Sequence, residues 1–218
     1  TFQAPGAAPA APLAAADGSS LCSVAGASGR WPGGVGKSAA SPWQQASASS
    51  DAVGEVPASR WTLSSVVDMD TLNGAQAKCL AHAAFVQDVE LFDAAAFSVS
   101  KAEAGAMDPQ QRLLLETAYV ALHSSGAHRA SLLDSEQGVF LAVSNTDSAQ
   151  VLATNRSVYA ATGSAISIAA GRLSFVFGLQ GPCVTVDTAC SSSLVALHGA
   201  SLGIREGDCP GAIVTAVN

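Results

Sequence analysis

Hydrophobic and polar positions in this chain of 218 residues fall into blocks with different periods. The clearest block runs from Asp108 to Gly126. There Leu115, Ala118, Tyr119 and Leu122 recur at i, i+3, i+4 and i+7, the spacing of one helix face. Asp108 suits the N-cap, and Pro109 suits the first helical position, where its missing N–H costs nothing. Gln111 stands where a capping-box side chain reaches back, and Gly126 suits the residue just past the end. Beyond this helix the pattern alternates. Gly138–Ser144 (GVFLAVS) reads as a strand, Ser164–Phe177 as an Ala-rich helix and Cys183–Thr188 (CVTVDT) as a strand. Cys190–Arg205 reads as a helix closed by Gly207 and Pro210, and Ala212–Val217 as a further strand. Strands without a polar face, alternating with helices, predict a parallel sheet covered on both sides.

The front of the chain is less regular. Residues 1–20, rich in Ala and Pro, predict an extended tether, and they lack the basic and apolar regions of a secretory signal. Ser20–Ala27 (SLCSVAGA) reads as a short strand running into a Gly-rich turn, Gly29–Gly36. Residues 37–50 read as loop with at best a weak helix, 51–61 as a Pro-interrupted surface segment, and 62–105 as short apolar runs that resist assignment. The chain has no initiator Met and stops on an apparent buried strand, GAIVTAVN, so it is expected to be part of something longer.

Composition narrows the function. Charged residues make up 12% of the chain, about half the roughly 25% of ordinary soluble domains, and Ala, Gly and Ser fill the gap. Ten basic against 17 acidic residues give a net charge of −7, which argues against nucleic acid as a partner. No window supplies the roughly 20 apolar residues of a membrane span. The five cysteines (22, 79, 183, 190, 209) include no CxxC pair, so neither a zinc site nor a disulfide is implied.

One cysteine stands in a chemically suggestive place. In GPCVTVDTACSSSLVALHGA (181–200) a strand ends at Asp187–Thr188, Cys190 follows on the turn, and serines open the next helix. Unpaired amides and the positive end of the helix dipole favour thiolate over thiol there. The small neighbours Ala189, Ser191 and Ser192 leave room for a carbonyl, and the Cys190 N–H can donate to an oxyanion. Residue chemistry alone leaves a buried structural thiol as an equal alternative.

Around these residues the chain resembles the β-ketoacyl synthases, specifically the ketosynthase domains of type I polyketide synthases. DTACSSSLVALH (187–198) is similar to the family's active-site signature, and WPGG (31–34) to its FPGG. The segments DAVGEVPASRW (51–61), 91–122 with its MDPQQRLLLE, and 159–198 extend the likeness over roughly 21–218. The resemblance implies an α/β fold of thiolase-like α/β/α/β/α layers, of which this chain would be the N-terminal half with a mostly parallel mixed sheet. It implies two domain segments, a linker over 1–20 and a truncated ketosynthase over 21–218.

It also implies a function. A Cys190 thiolate would take an acyl chain from the phosphopantetheine thioester of an acyl carrier protein. That chain would be extended by decarboxylative Claisen condensation with a malonyl-type unit, in polyketide or fatty acid biosynthesis. No cofactor or metal is expected to be bound directly. The implied partners are acyl carrier protein, acyl and malonyl thioesters and a second copy of the chain, in the cytoplasm or a plastid. The family's two further His lie in downstream motifs that His82, His123, His128 and His198 do not match, so this chain alone is expected not to condense. His198 is expected to be buried or at an interface. The alternatives are a ketosynthase-like scaffold without catalysis and a thiolase-type acyl-CoA enzyme; the retained Cys190 weighs against the first, the Ser run and MDPQQR against the second.

The chain departs from the family's pattern in three places. QQASASS follows Trp43, AHAAF replaces a Gly-rich segment, and Gly171 stands where many members have Asn. Three apparent motifs fail. GGVGKS (33–38) lacks the first Gly of a phosphate loop, because position 31 is Trp31. Gly199-Ala200-Ser201-Leu202-Gly203 falls too late in a helix to be a nucleophile elbow. Asn155-Arg156-Ser157 is a glycosylation sequon without a secretory context.

Overall fold

The computed structural model describes residues 21–32, 40–145 and 157–217. The stretch 1–20, the GGVGKS segment and Asn155–Arg156 of the sequon lie outside the described residues. The chain divides into two compact units: Gly29–Val89, and a larger one formed by the residues on either side of it.

The smaller unit holds α1 (Ala40–Ser47), β1 (Val53–Glu55), α2 (Leu63–Val66), a 3-10 turn at Met69–Thr71, α3 (Gly74–Leu80) and β2 (His82–Ala84). The helix α1 forms where mainly loop is expected; Gln45 Nε2 donates to the Pro32 carbonyl at 2.7 Å while Trp43 stays exposed. A full capping box opens α3, with Asn73 Oδ1 accepting from the Gln76 N–H at 2.9 Å and Gln76 Oε1 accepting from the Asn73 N–H at 3.0 Å. Strands β1 and β2 pair antiparallel, Val53 opposite Ala84, and Trp61 meets Phe85 edge to face at 5.7 Å.

The larger unit contains α4 (Lys101–Ala106), α5 (Pro109–Ser124), α6 (Arg129–Leu132), β3 (Gly138–Val143), α7 (Ala160–Ser164), α8 (Ile166–Phe177), β4 (Cys183–Val186), α9 (Ser192–Glu206) and β5 (Ala212–Val217). Its sheet is parallel throughout, in the order β4-β3-β5, with Leu141 opposite Thr185 on one side and Thr215 on the other. The antiparallel pairing belongs to the smaller unit. All six residues of β3 are buried. Its alternate side chains face opposite layers. Val139, Leu141 and Val143 join a cluster with Leu114, Leu115 and Ala118 of α5 and Ala169, Ala170 and Leu173 of α8. Phe140 and Ala142 join Ala196 and Ala200 of α9 and Cys209. Helix, sheet and helix are thus stacked around one strand, as apolar strands without a wet face require.

Local expectations hold in part. The Asp108 side chain caps α5 by accepting from the Gln110 N–H at 2.7 Å, and Gly126 follows the helix at φ +84°. Gln111 does not reach back as a capping box. Its amide oxygen accepts from Arg172 Nε at 2.7 Å and its Nε2 donates to the Thr162 carbonyl at 3.2 Å. The buried Arg172 guanidinium needs acceptors, and it takes Gln111 together with the Glu103 carboxylate. Tyr119 is half out of the core and meets Phe97 in a T-shaped pair with ring centroids 6.1 Å apart. The expected strand over Ser20–Ala27 is absent at 21–27, where Leu21 and Val24 are exposed.

The expected helix Ser164–Phe177 is interrupted at Ala165, which is extended. The Gly163 carbonyl accepts from the Asp108 N–H at 2.9 Å, and a Cβ at Gly163 would run into the Ala106 carbonyl. α7 therefore seats against the α4–α5 junction, and α8 starts afresh. Two glycines should respond with opposite signs. Gly163→Ala should cost at least ~2 kcal/mol, because backbone has to move. Gly171→Ala, where an added Cβ meets nothing within 4 Å inside α8, should stabilise by about 0.5–1 kcal/mol. Urea denaturation midpoints of the two variants check both signs.

Candidate functional site

Strand β4 runs parallel to β3, and the chain then turns through Asp187 and Thr188 into a 3-10 turn, Ala189–Ser191, before α9 begins at Ser192. The expected helix Cys190–Arg205 therefore starts two residues late as regular α-helix. Cys190 occupies the turn and is exposed. The turn precedes the positive end of a 15-residue helix, where first-turn amides face outward.

Side chains fix the turn from both sides. Asp187 Oδ1 accepts from the Ala189 N–H at 3.0 Å and from Ser144 Oγ, just past the end of β3, at 2.9 Å. Ser192 Oγ accepts from the Thr188 N–H at 2.7 Å and donates to the Ala189 carbonyl at 2.7 Å. Ser191 Oγ lies 2.8 Å from the Thr188 carbonyl and 2.9 Å from Thr188 Oγ1. Ala189 sits at φ +54°, a left-handed conformation that a residue with a Cβ adopts at a cost. Sequence reasoning finds Cys190 but misses Ser144, Asp187 and Ser192 as its frame. The available signal is a polar residue at the end of each of two apolar runs, which parallel pairing brings together.

No histidine stands in the turn. His198 is exposed on α9, which overturns a buried position and leaves the expected interface one. His82 lies on β2 with Nδ1 2.8 Å from the Lys78 carbonyl, His123 stacks at a tilt 6.1 Å from Tyr119, and His128 is exposed beside α6. Among the described residues no group of three or more His, Cys, Asp or Glu side chains is placed to hold a metal ion, and no helix is long and apolar enough to cross a membrane. The glycines of the G-x-S-x-G run serve packing: Cβ atoms at Gly199 and Gly203 would lie 3.4 Å and 3.5 Å from the Phe140 ring.

Residues 22–218 match the family model described as "Beta-ketoacyl synthase, N-terminal domain". The chain belongs to the β-ketoacyl synthase family. It is 45% identical over 193 residues to "Polyketide synthase GfsE" of Streptomyces halstedii, an alignment covering 85% of this chain and 5% of that protein. Among solved structures it is similar to the oxazolomycin ketosynthase domain OzmH KS7 of Streptomyces albus, with 35% identity and a TM-score of 0.77, covering 89% of this chain and 34% of that one. It is also similar to the ketosynthase from module 6 of the bacillaene synthase of Bacillus subtilis, with 28% identity and a TM-score of 0.68, covering 84% and 29% of the two chains. The fold is therefore the thiolase-like α/β fold of ketosynthase domains. The chain spans about a third of the length of these solved ketosynthases and a twentieth of the polyketide synthase.

The five cysteines of this ketosynthase chain are free thiols, and only Cys209 is buried. Burial pushes its thiol above the ordinary range; backbone hydrogen bonds from Gly138 and Gly211 oppose this, and the nearby Asp208 carboxylate adds to it. A raised pKa means less thiolate at any given pH. In iodoacetamide labelling of the native chain at pH 8, Cys22, Cys79, Cys183 and Cys190 should react first. Cys209 should react only once urea unfolds the chain, as peptide mass spectrometry will show.

Proposed function

We propose that this chain carries the nucleophile of a ketosynthase that extends acyl chains in polyketide assembly, with Cys190 as the catalytic residue. The observation that carries the reading is the exposed Cys190 thiol on a strand-to-helix turn within a ketosynthase fold. In the first step the Cys190 thiolate attacks the carbonyl carbon of an acyl thioester on the phosphopantetheine arm of an acyl carrier protein. The tetrahedral oxyanion is stabilised by the Cys190 N–H. Collapse breaks the donor C–S bond, and the departing thiolate takes a proton, leaving a Cys190 acyl thioester and a free phosphopantetheine thiol. In the second step a malonyl-type thioester loses CO₂, and its carbanion attacks the acyl-enzyme carbonyl. The new C–C bond forms as the Cys190–acyl bond breaks, which regenerates the thiolate and leaves a β-ketoacyl product on the carrier. Splitting the reaction at a covalent intermediate replaces one difficult step with two easier ones.

The residues 21–218 act in this reading as the first part of a ketosynthase domain behind a linker at 1–20. The complete enzyme is a homodimer served by acyl carrier protein and acts in the cytoplasm. Incubating the chain with an acyl thioester of pantetheine should add one acyl mass to the peptide carrying Cys190. Cys190→Ala should abolish that addition, a loss beyond ~1000-fold, because no other group replaces the nucleophile. Acylation of Cys22, Cys79 or Cys183 with Cys190 untouched would overturn the assignment.

A further inference from the structure

We propose that Ser192 is a positioning residue for Cys190, holding the Ala189–Cys190 peptide so that the Cys190 N–H points at the developing oxyanion; this rests on Cys190 being the nucleophile. Ala189 is held at φ +54°, which its Cβ disfavours. Something local must hold it there, and the hydrogen bonds show what. On its amide side, Ala189 donates to Asp187 Oδ1 at 3.0 Å, and Ser144 Oγ secures that carboxylate at 2.9 Å. On its carbonyl side, Ala189 accepts from Ser192 Oγ at 2.7 Å and also from the Ser192 N–H. The same hydroxyl accepts from the Thr188 N–H at 2.7 Å, so it ties the Asp187–Thr188 peptide to the Ala189–Cys190 peptide.

Ser192 is 5% exposed, and its hydroxyl both donates and accepts within the turn. It is therefore part of the frame and does not face a substrate. The link to chemistry is the geometry of the peptide unit. A trans peptide is planar, with its C=O and N–H pointing in opposite directions. No cis peptide bond occurs among the described residues, so fixing the Ala189 carbonyl fixes the direction of the Cys190 N–H. Ser192 acts on the oxyanion donor through that rigid plane. Access to the thiol does not depend on it, since Cys190 is exposed.

Two reactions of Cys190 separate the roles. Acyl transfer from a pantetheine thioester needs an aligned oxyanion donor, whereas alkylation by iodoacetamide displaces iodide at carbon and forms no oxyanion. Ser192→Ala in the full chain should slow acylation of Cys190 about 10- to 100-fold, somewhat less than outright removal of an oxyanion donor. Alkylation should change by less than about threefold, the scatter expected of a site whose access and thiolate are untouched. Ser192→Thr, which keeps the hydroxyl, should stay within about threefold of the parent in both reactions. Unchanged acylation in Ser192→Ala, or equal loss of acylation and alkylation, would overturn the proposal. Should Ser192→Ala not fold, Ser144→Ala loosens the amide side of the same peptide. It should slow acylation about 3- to 10-fold with alkylation intact, a fraction of the effect of a lost donor; no such difference there also overturns the proposal. If the parent chain's Cys190 takes no acyl group at all, the assignment of the nucleophile fails instead, before any variant is compared.

Discussion

Strand β3 has no side chain in water, so it is stable only with a helical layer on each face and a paired strand along each edge. Val139, Leu141 and Val143 need α5 and α8; Phe140 and Ala142 need α9; β4 and β5 supply the backbone partners. A slip of one residue would exchange the two sets and place Phe140 against a layer shaped for Leu141. Because β3 tolerates no slip, the register of β4 is fixed as well, with Ala142 opposite Val186. The end of β4 then falls beside Ser144, and the turn bearing Cys190 opens at the C-terminal edge of the sheet. In open parallel sheets that edge is where ligands bind. The position of the thiol thus follows from the burial of a strand that carries no chemistry.

What was legible in the sequence was what local pattern dictates. The three apolar runs became β3, β4 and β5, and Asp108, Pro109 and Gly126 mark the ends of α5. Cys190 was legible because its position, between a strand and a helix, is a short-range property. Gln111 was misread because its partner, Arg172, lies 61 residues away in the chain, and no window near Gln111 announces a buried guanidinium. The break at Ala165 was missed for a similar reason, since it arises where Gly163 meets Ala106 across the chain. The frame of the candidate site is equally non-local: Ser144 and Asp187, 43 residues apart, become neighbours only through the pairing of β3 with β4.

The shortage of charge connects to the same turn. The inner face of α9 is Ala196, Gly199, Ala200 and Gly203, at the i, i+3, i+4 and i+7 spacing. Against these small residues Phe140 lies flush, its ring at ordinary contact distance from where Cβ atoms of Gly199 and Gly203 would be. Larger side chains there would push the helix away from the sheet. A helix packed this close leaves only Asp187 to Ser191 between the last residue of β4 and the first of α9. Within this connection Ala189 takes the left-handed conformation. Gly would adopt that conformation more readily but would leave the turn loose. Ala with a serine and an aspartate fastened on either side gives a turn that is strained and held in place by its own side chains.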